Sequence, residues 1–461
     1  MFKKIEIWIL YLTIFFSLLF AVGFGTLVRQ ELVGQTKAGW VSRAALFLAE
    51  IPMNTKKLLI NPIDEQTMED RFPGQIGFSG NTNETEMYLL HSRVGGDQYD
   101  GLVELIDLRT FSILHTWNPN LEEFNSRVEL KDEFKELANR KKDNTRTGLM
   151  HPNLTADGGL LFGWEAPLRK IDACSELIFQ NTHDRFHHTI ETDIDENIWA
   201  STHMYPQSID KEKVGRGVFD NDEVAFIEDA IIKLSPDGEV LYEKSVGKIL
   251  IENEMEYLLF SIGESLRAGA FVVDPIHLND VQPVNFDGVY WKKGDLFISI
   301  RHQSMVFLYR PSTEEVIWKS TGKFFHQHDI DILDESRISI FNNNSKDFID
   351  GNYVDGHNEV IIYDFKTNEY SSYLKESLIA NDVRTVTEGR SQILPNGDLF
   401  IEESNYSRTL YFNSDGSLRW SHVNRAENGK VYQVGWSRIL YTDDDIRKVK
   451  NFMKTKGDCN D

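Results

Sequence analysis

Six times between residues 101 and 422 the chain repeats one half-unit: an apolar strand, a short turn, and a second strand closing on an aromatic. The copies read GLVELIDLRTFSILHTW from Gly101, PLRKIDACSELIFQ from Pro167, DAIIKLSPDGEVLYEKS from Asp229, SMVFLYRPSTEEVIWKS from Ser304, EVIIYDFKTNEYSSY from Glu359 and RTLYFNSDGSLRWSH from Arg408. Trp117, Phe179, Tyr242, Trp318, Tyr373 and Trp420 fall in similar registers, as expected of residues packed between neighbouring sheets. Before most copies stands a partner half-unit with a polar or His-containing start: HPNLTADGGLLFGW from His151, HHTIETDIDENIWAST from His187, NDVQPVNFDGVYWKKGDLFISIR from Asn279, QHDIDILDESRISIFNNN from Gln327 and GRSQILPNGDLFIEES from Gly389. The first unit's partner, ending EMYLLHSR at Arg93, is less regular. Each unit therefore reads as a four-stranded meander. Six such sheets, none able to bury both faces alone, are stable when packed radially around a channel. The predicted fold is all-β, a six-bladed β-propeller over residues 71–445 with helical insertions at 121–147 and 246–270. A β-sandwich, the other architecture considered, leaves the shared aromatic register unexplained.

Ahead of this domain, Ile5 to Val28 form an apolar run of about 24 residues, long enough to cross a bilayer. Lys3 and Lys4 precede it, so the positive-inside rule keeps the N-terminus cytoplasmic and sends the rest across. The reading is an uncleaved anchor over residues 1–29, with the large domain on the periplasmic side of the inner membrane. A cleaved signal peptide is the alternative. Residues 30–70 form a juxtamembrane segment carrying Trp40, Leu46, Phe47 and Leu48 among basic residues, either an amphipathic helix at the outer membrane surface or a plain linker helix, and 446–461 a C-terminal tail. Acidic residues outnumber basic ones 72 to 49, a formal charge of -23, which repels phosphate backbones and excludes nucleic acid as the main partner. An anionic ligand then requires locally concentrated Arg and His. Cys174 and Cys459, far apart in sequence, are expected to be unrelated thiols.

In such a meander the starts of the innermost strands and the ends of the second strands lie at the same channel mouth. His151, His187 and His188, His277 with Asn279 and Asp280, and Gln327 with His328 and Asp329 all stand at innermost-strand starts. Arg301 closes the second strand DLFISIR. Imidazoles and one guanidinium thus converge from distant positions. Strand alternation points His187 and His188 to opposite faces, so only one is expected in the channel; aligning HHTIET with QHDIDI selects His188. His151 is expected at a blade edge, His183 in a solvated turn pair, His302 turned away from Arg301, and His326 as a strand cap. His91, His115, His203, His357 and His422 share no register and default to surface or packing.

A histidine cluster can bind metal, move protons or attack as a nucleophile. Zinc or iron sites usually add Cys or Asp/Glu ligands, and Arg301 nearby opposes a cation, so neither a metal nor a cofactor is expected. The guanidinium favours an anion with paired oxygens. Phosphate-binding loops and serine elbows are missing from the sequence, which leaves nucleotide hydrolysis and triad esterase chemistry without their parts.

The strings HLND at His277, ISIR ending at Arg301, and QHDIDIL around His328, set in a propeller-like repeat, resemble the bacterial arylsulfotransferases over roughly residues 70–440. The resemblance implies a periplasmic six-bladed propeller that moves a sulfuryl group from an aryl sulfate to a phenol acceptor through a sulfohistidine, without a nucleotide donor. It further implies that His328 is the nucleophile, Arg301 the sulfuryl-oxygen clamp, and His277 and Asn279 flanking donors. His188, or alternatively His187, matches the remaining histidine. Asp329 or a backbone carbonyl is expected to fix the His328 tautomer and Asp329 to help bind substrate. Two rivals stand beside this reading: a membrane-tethered propeller that binds an anionic or phenolic ligand or docks a partner without turnover, and a metal-dependent hydrolase or lyase.

Overall fold

The computed structural model describes residues 6–32, 38–59, 67–96, 100–128, 149–163, 166–210, 219–220, 223–224, 227–260, 274–348 and 351–457. The chain divides into two units, Met1–Glu65 and Gln66–Asp461. In the first, helix Ile7–Leu32 carries a 24-residue stretch, Ile7–Gln30, that is unburied and long and apolar enough to cross a membrane. Helix Trp40–Leu59 follows, exposing Trp40, Phe47 and Leu48 while burying Ser42 and Ala45.

The second unit is mostly β and propeller-like. Three of its sheets are four-stranded meanders. One runs Leu278–Pro283, Leu296–Ile300, Met305–Arg310, Glu315–Thr321; the next runs Ile330–Ile332, Arg337–Asn342, Glu359–Asp364, Glu369–Tyr373. Burial falls along each meander as the sequence pattern requires: Leu296–Ile300 is wholly buried, whereas Glu315–Thr321 alternates between exposed and half-buried residues up to Ile317 and Trp318 and buries only Ser320 outright. Apolar clusters lie between sheets rather than within one. Val281, Ile298 and Phe307, for example, pack with Trp199 and Ile231 of the neighbouring sheet.

The third four-stranded sheet corrects the sequence reading of the first unit. Its innermost strand is Arg438–Leu440, from the far end of the chain, paired with Tyr88–Leu90 of strand Tyr88–Gly95; Asp100–Asp107 and Ser112–Trp117 complete it. The stretch ending at Arg93 is the second strand, as its place at the end of the half-unit implies, but the first strand comes from the far end of the chain rather than from just upstream, which explains the irregularity of this half-unit. A five-stranded sheet of Arg390–Ile393, Leu399–Glu403, Arg408–Phe412 and Leu418–Val423 takes Gly77–Gly80 as its outer strand. Seven strands between Asn153–Leu154 and Val240–Ser245 form one sheet because Leu177–Thr192 runs through it without a break, and two small hairpins, Phe219–Asp220 with Glu223–Val224 and Ser345–Phe348 with Gly351–Val354, stand outside the larger sheets.

Of the two expected helical insertions, Leu121–Ser126 and Val246–Glu252 are helical; 129–148 and 261–273 lie outside the described residues. Helix Asp443–Thr455, started by a capping box at Thr442, crosses the expected 445/446 boundary and buries Val449 and Phe452 against Trp117. Cys174 is disulfide-bonded, contrary to the expected free thiol. Sequence separation concealed this, because the C-terminal helix folds back beside it: Phe452 touches the His115 ring, whose Nε2 lies 2.8 Å from the Ala173 carbonyl. Cys459 lies outside the described residues.

Candidate functional site

The mouth histidines begin with a backbone peculiarity. His151, His188, His277, His326 and Trp436, each at or just before an innermost strand, have φ of 54°, 52°, 52°, 51° and 60°. Non-glycine residues seldom occupy this left-handed region, histidine being among those that tolerate it, and such strain collects at functional sites. The turn breaks strand alternation. His187 and His188, expected on opposite faces, meet with Nδ1 atoms 2.7 Å apart, because the pairing register shifts between His187 and Ile190.

The His188 ring centre lies 5.1 Å from that of His277 and 6.0 Å from that of His328. His328 is buried. Its Nδ1 lies 2.7 Å from Asn343 Oδ1 and 3.2 Å from the His326 carbonyl, and its Nε2 accepts the Glu388 N–H at 2.9 Å. Asn343 donates through Nδ2 to the carbonyls of Thr385 and Glu388, which turns its oxygen to the ring and places the imidazole proton on Nδ1. Burial, reinforced by the Arg301 charge, holds His328 well below the usual histidine range, so the ring is neutral at neutral pH. His188 is likewise depressed, by desolvation first and then by His187 and His277.

His277 leans on two carboxylates: its Nδ1 is 2.9 Å from Asp274 Oδ2 and its backbone N–H donates to Asp229 Oδ2 at 3.1 Å. Burial pushes Asp274 up, but the hydrogen bond and charge of His277 outweigh it and hold the carboxyl below its usual range. Arg301, buried just beyond strand Leu296–Ile300, donates its backbone N–H to the His277 carbonyl. His302, expected to point away, stacks 4.6 Å from His277. His151 packs 3.8 Å from the Trp436 ring, in keeping with a structural place.

Two predicted residues sit elsewhere. Asn279 donates to the Gln327 carbonyl at 2.8 Å, tying two sheets together. Asp329 accepts the Ser391 N–H at 3.0 Å and faces Arg390 at 3.6 Å, in a second layer with buried Asp280 and half-buried Asp331, Glu191 and Arg438. It does not set the His328 tautomer; Asn343 and the His326 carbonyl do. The sequence reading missed Asn343, His203, Asp229 and Asp274. The rule that selected Arg301, second-strand ends at the mouth, also selects His203 and Asn343, which close or follow strands Ile198–His203 and Arg337–Asn342. Asp229 opens a third strand and Asp274 lies in a connection, positions that rule does not cover.

The family model described as Arylsulfotransferase (ASST) matches residues 151–425, more than half of the chain. No curated protein matches the sequence. Similar solved structures include a protein of unknown function from Bacteroides caccae, at 14% identity over 73% of this chain and 93% of that one, with a TM-score of 0.42. The WD40 β-propeller domain of Doa1 matches at 11% identity over 83% of this chain and 96% of its own, with a TM-score of 0.39. TolB from Acinetobacter baumannii matches at 10% identity over 77% and 66%, with a TM-score of 0.41.

Proposed function

The chain belongs to the arylsulfotransferase family, and from that premise we propose that it transfers a sulfuryl group from an aryl sulfate to a phenol through a sulfohistidine on His328. The observation that carries the reading is a neutral, buried imidazole with its proton pinned on Nδ1 by Asn343, beside Arg301, His277 and His188. A nucleophile must present an unprotonated lone pair, and here that is Nε2. In the first step Nε2 attacks sulfur, the N–S bond forms, and the bond from sulfur to the aryl oxygen breaks. The Glu388 N–H, which occupies Nε2 in this structure, turns away for the attack. Arg301 and the N–H groups of His277 and His188 donate to the sulfuryl oxygens as charge builds there, and the phenolate leaves as the anion and takes its proton from water. In the second step the acceptor hydroxyl passes its proton through the neutral His188 imidazole to solvent, its oxygen bonds to sulfur, and the N–S bond breaks to return neutral His328, which makes the kinetics ping-pong. No nucleotide takes part.

The proposed architecture is six-bladed. The seven-stranded sheet counts as two blades that share Leu177–Thr192, whose first half is the outer strand beside Ala166–Ile171 and whose second half is the inner strand beside Ile198–His203. The proposed setting is a single-pass anchor in the inner membrane with the catalytic unit on the periplasmic side. The apolar N-terminal helix and the disulfide at Cys174, a bond that persists in oxidising compartments, support it. The test is His328→Asn assayed with a chromogenic aryl sulfate and a phenol acceptor. Acceptor-dependent phenol release is expected to vanish while the thermal midpoint stays close to that of the parent, and turnover by the variant rejects the assignment.

A further inference from the structure

Beside the rings just described, three adjacent strands of one sheet bring another set of side chains together. His187 lies in Leu177–Thr192, His203 ends Ile198–His203, and Asp229 begins Asp229–Leu234. Asp229 pairs directly with His203, and His203 with Arg185, two residues from His187 along its strand. Direct and diagonal neighbours on one sheet face lie within side-chain reach. Asp229 Oδ1 stands 3.1 Å from His187 Nε2 and 3.6 Å from His203 Nε2. The side chains of Asp229 and His187 are 0% and 5% exposed, and among the described residues neither Asp229 Oδ1 nor His187 Nε2 has a hydrogen-bond partner. The two atoms are close but not aligned to bond each other. A buried carboxylate oxygen left in this way is costly, and an ion removes the cost.

The spacing has a direct reading. Two ligand atoms each about 2.1 Å from one ion, at angles of about 90–120°, stand about 3.0–3.6 Å apart. The other oxygen, Oδ2, is held by the His277 N–H, and His187 Nδ1 meets His188 Nδ1, the kind of outer contacts that orient metal ligands. Two other groups of acids and histidines also hold a carboxylate oxygen without a partner among the described residues, Asp274 Oδ1 and Glu243 Oε1, but their side chains are more open to solvent, so the cost there is smaller. Asp274 Oδ2 bonds His277, and its carbonyl lies 2.8 Å from His302 Nδ1. Asp184, beside His183 and Glu243, accepts from Thr202 Oγ1 and the Tyr205 N–H.

We propose that His187, His203 and Asp229 bind one divalent first-row transition-metal ion, of the class of zinc, through two imidazole nitrogens and one carboxylate oxygen with further positions open. Asp229 supplies the carboxylate ligand that the sequence reading did not find. An ion on His187 Nε2 leaves the His187 proton on Nδ1, to be donated to His188 Nδ1. His188 then carries its own proton on Nε2 as a donor. That last link rests on the sulfuryl-transfer reading; the metal site does not.

The test uses the full chain in detergent, stripped with chelator, loaded with zinc chloride, desalted and measured by mass spectrometry of the metal. Titration with cobalt chloride, followed by its visible absorption, gives the affinity. About one equivalent of zinc per chain is expected, with a thermal midpoint that rises on loading and falls on stripping. Asp229→Asn and His203→Gln are each expected to weaken cobalt binding at least about ten-fold. His328→Asn is expected to retain zinc while losing transfer, so the two readings fail separately. Parent protein that retains no zinc and shows no cobalt absorption, or binding unchanged in both His203→Gln and Asp229→Asn, overturns the proposal. Should one of those variants not fold, the other variant and the parent titration decide it.

Discussion

At the scale of single residues, the chemistry of the mouth depends on where protons sit. His328 is kept unprotonated by burial and by the Arg301 charge, and its Nδ1 proton is held by Asn343, whose own amide hydrogens are committed to Thr385 and Glu388. Burial and the Arg301 charge depress the folded pKa of a base and outweigh the upward pull of the Asn343 hydrogen bond, so protonation, and with it loss of the nucleophile, comes only at a pH well below 6.5. Arg301→Met removes the cation and leaves the burial. The His328 pKa therefore rises toward its ordinary value, and the acid limb of the pH profile of kcat/KM moves to higher pH. Transfer also falls, by about 10²–10³-fold, as expected when a donor to developing oxyanion charge is lost. An acid limb that stays in place in the variant shows that Arg301 does not act on His328.

Elements secure this geometry by closing the chain on itself twice. Gly77–Gly80 adds to the outer edge of the sheet ending at Leu418–Val423, while Arg438–Leu440 supplies the innermost strand for the sheet of Tyr88–Gly95. Neither pairing is signalled locally, because each joins segments more than 300 residues apart. The first depends on a glycine: Gly80 has φ of 114°, and a Cβ there would stand 2.3 Å from the Arg419 carbonyl oxygen. Gly80→Ala is therefore expected to displace the strand and cost at least about 1–2 kcal/mol. The measurement is chemical denaturation together with limited proteolysis, and a variant as stable and as resistant as its parent shows that this strand is not part of the closure. Arg438 adds a further tie, since its guanidinium reaches both Glu191 oxygens, on a strand of another sheet, at 2.7 and 2.9 Å.

For the whole molecule, the apolar helix and the disulfide bear on the compartment. A chain denatured without reductant is expected to take up no alkylating reagent, and after reduction to take up two equivalents, one for each cysteine in the sequence. Labelling before reduction, read by mass, contradicts the disulfide and removes the support it gives to an exported setting. The repeat made the sheets legible in advance: strand order within a meander follows from alternating apolar residues and turn glycines, and the registers of Trp117 and Trp420 placed them between sheets, where both are fully buried. The mouth was legible as residue types at strand ends, which is how His188, His277, Arg301 and His328 were found. What those side chains touch was not. Periodicity along a strand assumes regular backbone, and at His188 and His277 the left-handed turns rotate the side chains out of that pattern. Asn343 and Asp229 stand at strand ends within the repeat and Asp274 in a connection, but nothing in the repeat says which histidine each faces, and they meet the histidines only when the sheets pack. The amino-acid order alone thus determined the apolar span, the meanders and the identities of the mouth histidines. Folding decided which nitrogen carries each proton and which carboxylate each imidazole faces, because those depend on ångström-scale placement of segments that no local pattern connects.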